Sequence, residues 1–164
     1  MNTHNELIIT IITKTKNETA QLINPFFFSH NSDNITIIII PEGNNASFNA
    51  QKLSKPSHIF PEPGQNKIKI TLPKLPDYSC MFRNCSLTKI ESDNFDVSQC
   101  ENLSKMFYGC YSLTNIDSLR NWDVGNCIDF SGMFERCLAL KNVDALKEWD
   151  VRKGENFWNL FNNC

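Results

Sequence analysis

Apolar and polar positions follow two different rhythms in the two halves of this chain. In the first 75 residues, Leu7-Ile8-Ile9-Thr10-Ile11-Ile12-Thr13, Ile35-Thr36-Ile37-Ile38-Ile39-Ile40 and Lys67-Ile68-Lys69-Ile70-Thr71-Leu72 are short, β-branched and bounded by Asn, Gly or Pro. They predict strands. The last alternates cleanly, with Ile68, Ile70 and Leu72 on one face and Lys67, Lys69 and Thr71 on the other. Pro41-Glu42-Gly43-Asn44-Asn45 predicts a turn, and residues 54–66, with Pro56, Pro61, Pro63 and Gly64, an irregular connection. Phe26-Phe27-Phe28 is expected in the core of this part.

The second half changes period. Leu103, Met106, Phe107 and Cys110 fall at i, i+3, i+4 and i+7; so do Phe130, Met133, Phe134 and Cys137, and Phe157, Leu160, Phe161 and Cys164. Tyr78, Met81, Phe82 and Cys85 give a weaker first copy. This spacing predicts one face of a short helix. Leu87/Ile90, Leu113/Ile116 and Leu140/Val143 follow and predict a short strand, after which Phe95, Trp122 or Trp149 with its Asp-Val partner turns the chain. The unit recurs every 25 to 27 residues, as stacked supersecondary units do.

The expected fold is therefore α/β: a solenoid of strand–turn–helix coils with a parallel sheet, spanning residues 76–164 with its last repeat incomplete, and preceded by an N-terminal β cap over residues 1–75. The sharper alternative for residues 1–75 is an independent ligand-binding domain. The Asp at 96, 123 and 150 is periodic and is expected to hydrogen-bond backbone amides in a turn.

The signature Met-Phe-x-x-Cys-x-x-Leu-x-x-Ile-Asp followed by Trp-Asp-Val, over residues 78 to 164, resembles the BspA-like leucine-rich-repeat surface proteins, in the short-repeat variety of mycoplasma-type surface lipoproteins. The resemblance implies a short leucine-rich-repeat-like solenoid and a role in adhesion or partner recognition at the cell surface.

Composition narrows this. The net charge of −2 gives no electrostatic footprint for nucleic acid. The start lacks a basic signal region, and residues 35–40, the longest apolar run, fall far short of the roughly 20 residues of a membrane span. Read alone, the chain is expected to be soluble and unexported, with no membrane insertion. Asparagine is abundant, 21 of 164 residues, but scattered, which reads as genomic bias. Five Asn-x-Ser/Thr sequons, at Asn17, Asn34, Asn45, Asn84 and Asn102, are what such abundance yields by chance.

Seven cysteines admit three readings. Cys85, Cys110, Cys137 and Cys164 share one repeat position, and Cys100 and Cys127 another, so the leading reading is a ladder of small buried thiols. Zinc needs close paired ligands, and none is present. Cys100/Cys110 and Cys127/Cys137 are each Cys-x9-Cys, the spacing of twin disulfides in helical hairpins.

No phosphate loop, nucleophile elbow or paired-His motif appears, so neither an enzyme nor a cofactor is expected. The candidate binding residues flank the predicted strands: Lys89 and Glu91, Asn115 and Asp117, Asn142 and Asp144. Stacked about 4.8 Å apart they would form ladders of Asn and acid suited to a protein or other cell-surface macromolecule. The alternative is an intracellular protein-interaction scaffold. Residues 157–164 end on a predicted helix without a polar capping unit; the leading expectation is a fragment of a longer array, and self-association through that end is the alternative.

Overall fold

The computed structural model describes residues 4–40 and 51–164; the predicted turn at residues 41–45 lies outside them. The chain runs β1 (His4–Thr13), β2 (Glu18–Gln21), α1 (Pro25–Asn31), β3 (Thr36–Ile40), β4 (Gln51–Leu53), β5 (Ser57–Phe60), β6 (Gly64–Pro73) and β7 (Lys89–Asn94). Five strands form one sheet in the order β4-β3-β6-β1-β7, and every pairing in it is antiparallel. β2 and β5 make a separate antiparallel pair.

The three strands expected from their apolar patterns are β1, β3 and β6. Their alternation decides which face is buried: Leu7, Ile9, Ile11, Ile37, Ile68, Ile70 and Leu72 are at most 1% exposed, whereas Lys67, Lys69 and Thr71 lie half-buried on the other face. Residues 54–66 are more regular than their prolines suggest, since they contain β5 and the start of β6. Of the three phenylalanines in α1, Phe27 is buried, Phe28 packs against the core and Phe26 is exposed.

The expected solenoid of strand–turn–helix coils on a parallel sheet is not formed, and with it goes the leucine-rich-repeat-like architecture. Among the described residues, parallel pairing is confined to single bridges, Asp77↔Asn102, Asn102↔Asp129, Asp129↔Asn156 and Lys89↔Asn115. The Leu-x-x-Ile/Val segment is a strand only once, as β7, and that copy joins β1 antiparallel. In the later copies it leads into 3-10 helices, Asp117–Asn121 and Asp144–Leu146.

The segments expected to be helices are chains of turns. Each unit holds two residues with left-handed φ at fixed positions: Cys80 and Asn84, Lys105 and Gly109, Gly132 and Arg136, Asn159 and Asn163. An α-helix cannot pass through such a residue. Alternate amides bond back three residues, as in Met106 N–H to Leu103 O (3.2 Å) and Tyr108 N–H to Lys105 O (3.1 Å). The amides between them donate to the next unit: Leu103 to Asp129 O, Lys105 to Ser131 O, Phe107 to Met133 O and Gly109 to Glu135 O, at 2.8–2.9 Å. Residues 130–136 repeat the pattern onto residues 156–162.

The side-chain face survives this change of backbone. Tyr78, Met81, Phe82, Leu103, Met106, Phe107, Phe130, Met133 and Phe134 are all at most 1% exposed. Equivalent rings stack, Phe82 on Phe107 (5.7 Å), Phe107 on Phe134 (5.5 Å) and Phe134 on Phe161 (5.6 Å). Gly109 is constrained twice: its φ is +67°, and a Cβ there would collide with the Asn84 side chain of the preceding unit.

A buried joint ties the turn units to the sheet. Asn5 on β1 is fully buried; its amide donates to Tyr78 Oη (2.7 Å) and Asp96 O (2.8 Å), and its carbonyl accepts from Asp96 N–H (3.0 Å). Tyr78 Oη also accepts from Leu75 N–H (3.0 Å). At the other end of β1, Thr88 gives both its N–H (2.7 Å) and its hydroxyl (3.0 Å) to Thr10 O.

Candidate functional site

Asn and Asp side chains shape the surface of the turn units. Three rows of such side chains accept a hydrogen bond from the amide two residues on, the Asx turn. One row is Asp96 to Ser98 (2.9 Å), Asp123 to Gly125 (3.1 Å) and Asp150 to Arg152 (3.2 Å), the role expected for these periodic acids. A second row is Asp77, Asn102, Asp129 and Asn156, which hold the amides of Ser79, Ser104, Ser131 and Trp158 at 2.7–3.2 Å. Acid and amide alternate along it, and Asn102 Nδ2 donates to Asp77 Oδ2 (3.2 Å), so carboxylates are not neighbours. Many of the asparagines read as genomic bias therefore have a structural task.

The third row contains the candidate binding residues. Asn115 Oδ1 accepts from Asp117 N–H (3.1 Å) and Asn142 Oδ1 from Asp144 N–H (2.7 Å). Each amide then donates to the acid it positions, Asn115 to Asp117 Oδ2 (2.7 Å) and Asn142 to Asp144 Oδ2 (3.4 Å). Lys89 and Glu91 sit on β7, Lys89 bridges to Asn115, and the two 3-10 helices pack on each other. The fold thus brings the six residues to consecutive coils.

Their charges are largely met locally. Glu91 pairs with Lys89 (3.1 Å) and Lys67 (3.7 Å), and Asp144 with Lys147 (2.8 Å). The Lys147 ammonium holds the Asp144 carboxyl below its ordinary pKa. The result is a pre-set, nearly neutral polar surface rather than a strip of repelling acids.

A cleft elsewhere was not legible in the sequence. A cleft of about 340 Å³ lies between α1 and residues 75–80, lined by Phe26, Phe27, His30, Asn31, Leu75, Pro76, Asp77, Ser79 and Cys80. His30 Nδ1 is 2.8 Å from Phe26 O. Among the described residues no group of three or more His, Cys, Asp or Glu is placed to hold a metal ion.

Five of the seven thiols are buried, while Cys80 is half-buried and Cys164 exposed. Cys110, Cys137 and Cys164 each point Sγ at the carbonyl of an aromatic residue one unit earlier, Phe82 (3.0 Å), Phe107 (3.2 Å) and Phe134 (2.9 Å). Burial pushes the thiols of Cys85 and Cys110 well up and that of Cys137 to about 12. Cys100 and Cys127 form a second buried pair, each Sγ on a backbone carbonyl, Cys100 on Asn102 O (3.3 Å) and Cys127 on Glu101 O (3.5 Å), and their mutual interaction lowers the pKa of Cys100 and raises that of Cys127.

The sequence profile of the family described as "Mycoplasma protein of unknown function, DUF285" matches residues 76–164, more than half of the chain. The chain belongs to the DUF285 family. The matched residues are those that form the turn units, so the DUF285 segment here coincides with the cross-linked turns, their Asx rows and the six polar candidates. No curated protein and no solved structure matches the chain. Among the described residues no helix is long and apolar enough to cross a membrane.

Proposed function

We propose that this DUF285 protein is a non-enzymatic recognition module that binds a protein or another cell-surface macromolecule. Its binding surface is the polar face carrying Lys89, Glu91, Asn115, Asp117, Asn142 and Asp144. The observation that carries the reading is the pre-set geometry: Asx turns and ion pairs hold these side chains before any partner arrives, which lowers the ordering cost of binding. The adhesin-type setting rests on the similarity of the Met-Phe-x-x-Cys and Trp-Asp-Val signature to BspA-like surface proteins.

An intracellular scaffold is the second reading, supported by the free cysteines, of which Cys85, Cys100, Cys110, Cys127 and Cys137 are buried. Protease treatment of intact source cells separates the two by whether peptides from residues 87–147 appear before lysis or only after it.

The test of the face is the double variant Asp117→Ala, Asp144→Ala, probed on an array of extracellular-matrix proteins. Both acids are exposed, so the fold is expected to tolerate the change. Affinity for whichever matrix protein binds the parent chain should fall about tenfold or more, equivalent to about 1.4 kcal/mol. Unchanged affinity in a folded double variant would remove this face from the proposal.

A further inference from the structure

We propose that the cleft between α1 and residues 75–80 binds an arylalkylamine, a primary amine joined by a short chain to a flat apolar ring. The site shares no residue with the polar face. Its walls set the shape of the ligand. Phe26, Phe27, Leu75 and Pro76 are apolar, and the Phe26 ring is 70% exposed, with the His30 imidazole against it at a centroid distance of 4.1 Å. At about 340 Å³ the cleft has room for one ring and its chain.

The polar groups set the charge of the ligand, because they are left as acceptors. His30 Nδ1 lies 2.8 Å from the Phe26 carbonyl, which can only accept, so this nitrogen carries the proton and Nε2 of the neutral ring is an acceptor. Asn31 Nδ2 donates to Phe27 O (2.9 Å), which leaves Oδ1 as an acceptor. Asp77 accepts one bond at each oxygen, from Ser79 N–H (2.7 Å) and from Asn102 Nδ2 (3.2 Å), and keeps a lone pair on both. Among the described residues His30 Nε2 and Asn31 Oδ1 meet no hydrogen-bond donor, and Asp77 has no ion pair. No lysine or arginine lines the cleft. The cations that flank it in sequence are engaged elsewhere, Lys74 with Asp96 (2.5 Å) and Arg83 over the Tyr108 ring (5.0 Å). Such a rim requires a ligand that brings donors and positive charge. An ammonium supplies three N–H donors, and the open Phe26 face attracts a cation or stacks on a ring. An anionic ligand would meet the Asp77 carboxylate with no cation to offset it.

The test titrates phenethylamine into the full ¹⁵N-labelled chain. Phenylpropionate, with a carboxylate in place of the amine, and butylamine, which lacks the ring, are the controls. Phenethylamine should bind with a Kd below about 1 mM and shift the amides of His30, Asn31, Ser79 and Cys80. At about ten times Kd it should slow alkylation of the half-buried Cys80 by iodoacetamide about tenfold, while Cys164 reacts at an unchanged rate. Asp77→Asn should weaken binding about tenfold. The fold should tolerate it, since Asn102 and Asn156 fill the same turn position in later units. Phe26→Ala, which removes a mostly exposed ring, should also weaken binding. Each of four results would overturn the inference: no shifts, shifts centred outside the cleft, binding of either control as tight as that of phenethylamine, or unchanged affinity in Asp77→Asn.

Discussion

Between about pH 9 and about pH 11 the folded protein should lose stability steeply, because buried thiols that ionise freely in the unfolded chain stay protonated in the fold. Cys85, Cys110 and Cys137 are 0–3% exposed, and burial raises the pKa of all three above that of an ordinary thiol. Tyr78, fully buried, is pushed to about 12 by the same cause. A folded pKa above the unfolded one gives stability that is complete below the unfolded value and declines as pH rises through the folded value. Each such thiol costs about 1.4 kcal/mol for every pH unit between its unfolded and its folded pKa, which for three thiols is a steep loss against a typical stability of about 5–15 kcal/mol. The pair Cys100 and Cys127 shifts in opposite directions and is left out of this sum. Denaturant midpoints measured across this range should fall steeply, and Cys110→Ala should lessen the slope by about one third. A midpoint flat to about pH 11 would mean that these thiols are open to solvent.

The second large effect belongs to Asn5. Replacing it with Leu should destabilise the protein by about 2–4 kcal/mol, since it strands two part-buried backbone groups, each worth roughly 1–3 kcal/mol, against the gain from a larger apolar side chain. Those groups are Asp96 O and Asp96 N–H; Tyr78 Oη loses one partner but keeps Leu75 N–H and Pro73 O. Asn5→Asp keeps the acceptor for Asp96 N–H but removes both donations and buries a charge, so its defect should ease at low pH, where the carboxyl is protonated. Urea unfolding measures both variants. A loss below about 1 kcal/mol for Asn5→Leu would show that the joint between sheet and turn units is not closed as described.

These effects bear on what could be read from residues alone. The alternation in β1 and β6 was legible because a strand with one buried face must place apolar side chains at every second position. Phe107 and its equivalents were legible as core for a similar reason. Their backbone was not, because i, i+3, i+4, i+7 spacing also arises when successive three-residue turns point the same side chains inward. The contrary signal was Gly109, Gly132, Asn84 and Asn163 recurring inside the supposed helices, where left-handed φ is needed. β2, β4 and β5 are only three or four residues long and carry no clear period. Asn115/Asp117 and Asn142/Asp144 were visible as pairs, but their Asx geometry depends on the turn, and so did the compensation of their charge.

The central claim is that residues 76–164 are turns joined by amide-to-carbonyl bonds between successive units. The most direct test is a through-hydrogen-bond NMR correlation on ¹⁵N,¹³C-labelled protein, read at the amide of Phe107. The structure predicts a coupling from Phe107 ¹⁵N to the carbonyl carbon of Met133, and from Met106 ¹⁵N to that of Leu103. A coupling from Phe107 to Leu103, the i−4 bond of an α-helix, would contradict it.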